Sequence, residues 1–185
     1  MSTSHFLLCW TADCHDICLR ISDNLKHCGV KPFIDRECLD NLDSLGEHVR
    51  TSRVLFLFLT NHIFQSPWCM MEVVEADSNG VPVIPVLVEG CAWGANGERR
   101  FPDISLDVPE TLSPAPGLSI EPRQAIQRAF SNVAIDFSRT YFDSFIDLLV
   151  KRIPDVGNGT ARGRRRSVAP MASGAEGFWL SLIHI

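Results

Sequence analysis

The sequence predicts an α/β protein built on a doubly wound, mostly parallel five-stranded sheet with helices on both faces. Three observations carry this. Short apolar segments alternate with amphipathic helical segments from His5 to Ile153. One of them, Val54–Leu59, is apolar at every position, as a strand covered on both faces must be. The stretches between apolar segments are long enough for the crossover helices that parallel pairing requires.

The first strand is expected at His5–Trp10, and Asp13 is placed to cap the helix that follows. Cys14, Ile17, Cys18, Ile21, Leu25 and Cys28 form one apolar stripe on that helix, and Gly29 stands where a helix ends in a left-handed residue. Val30–Asp35 reads as the second strand. Leu42, Leu45 and Val49 suggest a short helix, weakened by Gly46. Val54–Leu59 is the third and central strand. Ser66-Pro67 is a helix start, with serine as cap and proline at the first helical position, and Asn79-Gly80 is the stop. Val83–Val88 is the fourth strand. Pro85 cannot donate to a ladder, so this strand is expected near an edge or bulged. Residues 89–122 are Gly- and Pro-rich without periodicity, a loop of functional or disordered type. A short helix at Arg123–Phe130, a fifth strand at Val133–Phe137 and a helix carrying Phe142, Phe145, Ile146, Leu149 and Ile153 complete a domain of residues 1–154.

Residues 155–185 are expected to be a disordered tail. They hold glycines and the cluster Arg162, Arg164, Arg165 and Arg166, read as a solvated run rather than a nucleic-acid patch. The closing Phe178–Ile185 is similar to translated library-adapter sequence. A hydrophobic content of 45% against 21% charged is ordinary for a folded domain, and a net charge of −5 gives no attraction for nucleic acid or anionic membrane. No apolar run approaches the ~20 residues of a membrane span, and no secretion signal is visible. A cytoplasmic protein with reduced thiols is therefore expected. A zinc reading of Cys14, His15 and Cys18 lacks a second ligand pair at finger-like spacing. The 7 cysteines are read as core residues, with no metal site.

In doubly wound sheets ligands bind beyond the carboxyl ends of the strands. That rule selects Trp10-Thr11, Asp35-Arg36, Thr60-Asn61 and the start of the third helix. On that helix Trp68, Glu72 and Glu75 share a face, while Met70, Met71, Val73 and Val74 take the buried side. The aromatic plate could stack on a flat heterocycle, and the carboxylate could stabilise positive charge on a sugar carbon. Spacing alone favours an amphipathic helix with a buried Trp and a solvated Glu, and truncating Glu72 on that polar face is expected to leave no cavity.

The order Ser52-Arg53, apolar strand, short polar stretch, then Ser66-Pro67-Trp68-Cys69-Met70-Met71-Glu72 closely resembles TIR (Toll/interleukin-1 receptor) domains, most of all plant and microbial ones. His5–Trp10, Phe33-Ile34-Asp35, Val83–Val88 and Ile135-Asp136-Phe137 resemble TIR strands in order. The resemblance implies a flavodoxin-like fold and a role in signalling or innate-immune defence. It implies a hydrolase that cleaves NAD⁺ at the nicotinamide–ribose bond, with Glu72 catalytic and Trp68 beside the nicotinamide; together with the strand-end positions Trp10, Thr11, Asp35 and Arg36, Trp68 is expected to bind substrate. NAD⁺ would be the substrate, with no cofactor. Its other implication is a non-catalytic module that works by assembly with further TIR domains, as a weak homo-oligomer. Two departures bear on this choice. Thr11 stands where plant members carry Arg, and the loop after the second strand, Arg36–Ser44, lacks the usual Gly-containing turn. A nucleoside deoxyribosyltransferase of the same fold is a third reading. No acidic pair follows the first strand as in phospho-receivers, and no G-x-G-x-x-G follows any strand.

Overall fold

The computed structural model describes residues 5–34, 42–91, 93, 100–109 and 122–153. Asp35, Arg36, Cys38 and the tail from 155 lie outside the described residues.

The elements run β1 (His5–Cys9), α1 (His15–His27), β2 (Lys31–Ile34), α2 (Leu42–Thr51), β3 (Ser52–Leu59), α3 (Pro67–Ser78), β4 (Val83–Val88), α4 (Pro122–Phe130), β5 (Ile135–Phe137) and α5 (Phe142–Arg152). The sheet order is β2-β1-β3-β4-β5 and every neighbouring pair is parallel, the flavodoxin-like arrangement. The chain winds to one side of β1 and then to the other. The two directions therefore diverge between the carboxyl ends of β1 and β3.

Alternation along the strands makes two cores. Phe6, Leu8, Phe56, Phe58, Val86 and Phe137 face α1 and α5. Leu7, Cys9, Leu55, Leu57 and Leu59 face α2, α3 and α4. Both faces of β3 are thus covered, which is why residues 54–59 are uniformly apolar and fully buried.

Local signals explain the helix ends. Gly29 has φ +77°, its N–H reaches the Lys26 carbonyl at 2.9 Å, and the Val30 N–H reaches the Leu25 carbonyl at 3.1 Å. The same double closure follows α3, where Gly80 has φ +68° and the Val81 N–H meets the Ala76 carbonyl at 2.8 Å. Ser66 caps α3, its hydroxyl oxygen accepting from the Cys69 N–H at 3.3 Å.

Several expectations need correction. Asp13 does not cap α1: it sits within a 3₁₀ turn, Ala12–Cys14, that precedes the helix. The expectation drawn from Pro85 is met, since β4 is the strand next to the edge strand β5. β5 pairs with β4 only from Val86 onward, so Pro85 has a neighbouring strand on its β3 side alone, and the missing N–H costs no ladder bond towards β5. β5 itself begins two residues later than expected: its pairing with β4 starts at Ile135, opposite Val86, and Val133 is exposed. The described parts of 89–122 are packed against the sheet layer: Trp93 and Val108 are buried, and Phe101 meets Phe130 edge-on at 4.8 Å. Arg100 makes a bidentate pair with Asp107 at 2.6 and 2.9 Å, and Arg123 donates to the Ile104 carbonyl at 3.0 Å.

Candidate active site

A cleft of about 620 Å³ opens where the two crossover directions part. One wall is the segment leaving β1, with Trp10, Thr11 and His15; the other is the segment leaving β3 and the amino end of α3, with Trp68, Cys69 and Glu72. The placement follows from topology: adjacent loops that turn to opposite sides of a sheet cannot fill the space between them.

The base of the cleft is tied across the two strands. Thr11 and Thr60 share a hydrogen bond between hydroxyls at 2.6 Å, and Thr60 is buried. Above it the Trp10 ring stacks on His15 with centroids 5.0 Å apart and planes at 30°. The His15 Nε2 atom is buried with no hydrogen-bond partner.

Glu72 lies deep in this cleft, only 3% exposed. This corrects the expectation that it lies with Glu75 on a solvated face. α3 packs against the sheet and between α2 and α4, so its buried arc is wide and takes in Cys69, Met70, Glu72, Val73, Val74 and Ala76. Met71, expected to be buried, is only half-buried. Glu75 turns towards α2 and pairs with Arg50 at 2.5 Å. Trp68, one turn before Glu72, is half-buried at the rim.

Beneath the cleft lie two thiols that spacing did not single out. Cys9 donates to the Cys69 carbonyl at 3.9 Å, and Cys69 donates to the Trp10 carbonyl at 3.5 Å. Burial first, then the neighbouring Cys69 and Glu72, push the Cys9 thiol well above its ordinary pKa. The signal for Cys9 was available, since every second residue of a buried strand faces the same layer, but it depends on knowing which layer carries α3.

Of the residues expected at the site, Trp10, Thr11, Trp68 and Glu72 line one cleft, whereas Asp35 and Arg36 are outside the described residues. Among the described residues lining the cleft there is no Arg or Lys. Ser52-Arg53 lies at the opposite, amino end of β3, where the Ser52 hydroxyl donates to the His48 carbonyl at 2.7 Å and so joins α2 to the strand. His15, His62 and Gln65 also line the cleft and are not expected there from sequence, where His15 is weighed only as a zinc ligand beside Cys14 and Cys18.

The family model for the TIR domain matches residues 6–110. No curated protein matches the chain at a significant level. Among solved structures, the chain is similar to the TIR domains in the structure of the activated Roq1 resistosome directly recognizing the pathogen effector XopQ. Identity is 17%, the match covers 80% of this chain and 98% of that one, and the TM-score is 0.58. At that identity the likeness speaks for the fold.

Proposed function

The chain belongs to the TIR-domain family, and on that footing we propose that it is an NAD⁺ nucleosidase whose catalytic carboxylate is Glu72, acting in signalling or defence. The observation that carries this reading is the placement of Glu72: a buried carboxylate opening into a cleft at the sheet's switch point, beneath Trp68 and across from Trp10. An indole can stack on nicotinamide, and a carboxylate held in a low-dielectric wall favours the positive charge that develops as that ring departs.

The C1′–N bond breaks with its electron pair going to the nicotinamide nitrogen. The ribosyl centre becomes cation-like, and Glu72 stabilises it by accepting hydrogen bonds from the ribose hydroxyls. Water then bonds to C1′ and loses a proton to solvent, giving nicotinamide, ADP-ribose and H⁺. Capture by a ring nitrogen of the same molecule would give a cyclic product instead. The amino end of α3 opens onto the cleft and supplies positive potential for an anionic diphosphate.

The test is nicotinamide release by the full chain. Glu72→Gln keeps the side-chain volume and removes the charge, so the rate should fall ~10²-fold or more while the circular dichroism spectrum is kept. Glu75→Gln, outside the cleft, should stay within about twofold of wild type. Equal rates in wild type and Glu72→Gln would sink the mechanism.

One observation favours a second reading, a non-catalytic module that works by TIR–TIR assembly. Thr11 carries no positive charge for a diphosphate, and its hydroxyl is already paired with that of Thr60. Under either reading the protein self-associates weakly. Sedimentation velocity should show a sedimentation coefficient that rises with protein concentration; a constant monomer value with and without NAD⁺ would count against assembly.

A further inference from the structure

The trio under the cleft has a chemistry that NAD⁺ cleavage does not use. The sulfurs of Cys9 and Cys69 and a carboxylate oxygen of Glu72 all lie within 4.8 Å of one another. The three residues are 1%, 3% and 3% exposed. Among the described residues no second group of three such side chains is gathered in this way.

We propose that Cys9, Cys69 and Glu72 form a site for a thiophilic divalent cation of the zinc class, and that occupancy of this site closes the cleft to catalysis. The second half of the proposal rests on the nucleosidase reading of Glu72; the first half does not.

The geometry suits the ion. Zinc bonds thiolate at ~2.3 Å and carboxylate oxygen at ~2.0–2.2 Å, so tetrahedral ligand atoms stand somewhat under 4 Å apart. The trio is close enough to contract onto an ion by side-chain rotation. All three ligands are held by two regular elements. Cys9 is the last residue of β1, and Cys69 and Glu72 are one turn apart on α3. Cys69 and Glu72 also line the cleft, which gives a path of entry and leaves the fourth position facing the cleft for water. Two thiolates select a soft ion over magnesium or calcium.

Binding balances as two protons lost. The two thiols release H⁺, give up their hydrogen bonds to the Cys69 and Trp10 carbonyls, and bond to the ion beside the carboxylate. Loading therefore strengthens as pH rises. Once coordinated to the ion, the Glu72 carboxylate would no longer face a developing ribosyl cation.

The experiment uses the full chain, stripped with chelator and titrated with Co²⁺ as a spectroscopic stand-in. A sulfur-to-cobalt charge-transfer band should rise to one equivalent and be bleached by one equivalent of Zn²⁺. Cys9→Ser and Cys69→Ser should each weaken the band and raise the half-saturating concentration ~10-fold or more. Cys14→Ala removes a member of the other close thiol pair, Cys14 and Cys18 at 3.8 Å, and should leave the band intact. X-ray absorption of the zinc-loaded wild type should find two sulfur neighbours, which keeps the site testable if a variant fails to fold. Absence of the band, loss of the band in Cys14→Ala, or a sulfur count other than two would overturn the site. With zinc bound, nicotinamide release should fall to background; undiminished release at full occupancy would overturn the closure. If cobalt binds as expected but the metal-free chain releases no nicotinamide, the ion site stands and the nucleosidase reading falls.

Discussion

Glu72 lines the cleft and is also part of the packing beneath it, and under the nucleosidase proposal these two roles separate under substitution. Truncation to Ala removes a side chain that is only 3% exposed, so Glu72→Ala should lower stability by about 1–3 kcal/mol in urea denaturation, unlike a surface change. Glu72→Gln should cost less, because the volume stays. The cysteines divide in a similar way. Cys9, Cys14, Cys18 and Cys69 are buried, while Cys28 and Cys91 are partly exposed. Burial, with the Cys14 sulfur beside it, also pushes the Cys18 thiol up. Native-state alkylation followed by mass spectrometry should modify Cys28 and Cys91 well before Cys14 and Cys18. Cys28 belongs to the stripe read from sequence, yet it is the residue after α1 where the chain begins to turn away, so spacing overstates its burial.

At the scale of elements, the strands and helices were legible where local chemistry decides them. Val54–Leu59, Ser66-Pro67, Gly29 and Gly80 each announce themselves through a requirement on one backbone region. Gly29→Ala and Gly80→Ala, forced into left-handed backbone, should each destabilise by ~1 kcal/mol in a thermal or urea melt. What stayed hidden depends on neighbours far along the chain. The buried side of α3 is set by α2 and α4, so its own apolar pattern could not reveal that Glu72 points inward. Pro85 is permitted by the shortness of β5, which lies some fifty residues away. The cleft was legible in part as strand-end positions, Trp10 and Thr11 with the start of α3, and the thiols Cys9 and Cys69 behind it were not. The packed segment after β4 also hangs on charge. The Ser105 hydroxyl and N–H hold the Asp103 carboxyl below its usual pKa. A depressed folded pKa gives stability that is present above the unfolded value of ~3.9 and is lost as pH falls through the folded one. Amide exchange in residues 100–109 should therefore accelerate below about pH 4 before the sheet itself opens. Uniform opening at one pH would refute a locally tied segment.

For the whole molecule, the sheet divides the core into two layers that share the strands. Phe56 packs against Phe6 at 6.0 Å in one layer while its neighbours Leu55 and Leu57 fill the other. Phe56→Ala should cost about 3–5 kcal/mol in a urea melt, with loss of a single cooperative transition rather than of one half. Such parallel pairing also puts distant parts of the chain under one roof. α1, made early, shares its core with α5, made late: Cys18, Ile21 and Leu25 lie in one cluster with Phe145, Ile146 and Leu149, and the Arg20 guanidinium sits 4.1 Å over the Phe142 ring. During synthesis the oily side of the first helix must therefore wait, uncovered, while more than a hundred further residues leave the ribosome. The stretch by which the family is known, residues 6–110, ends before that cover arrives. A chain stopped at residue 110 should aggregate or be captured by chaperones as it emerges, and release of a soluble nascent chain should begin only once residues 142–152 are clear of the tunnel.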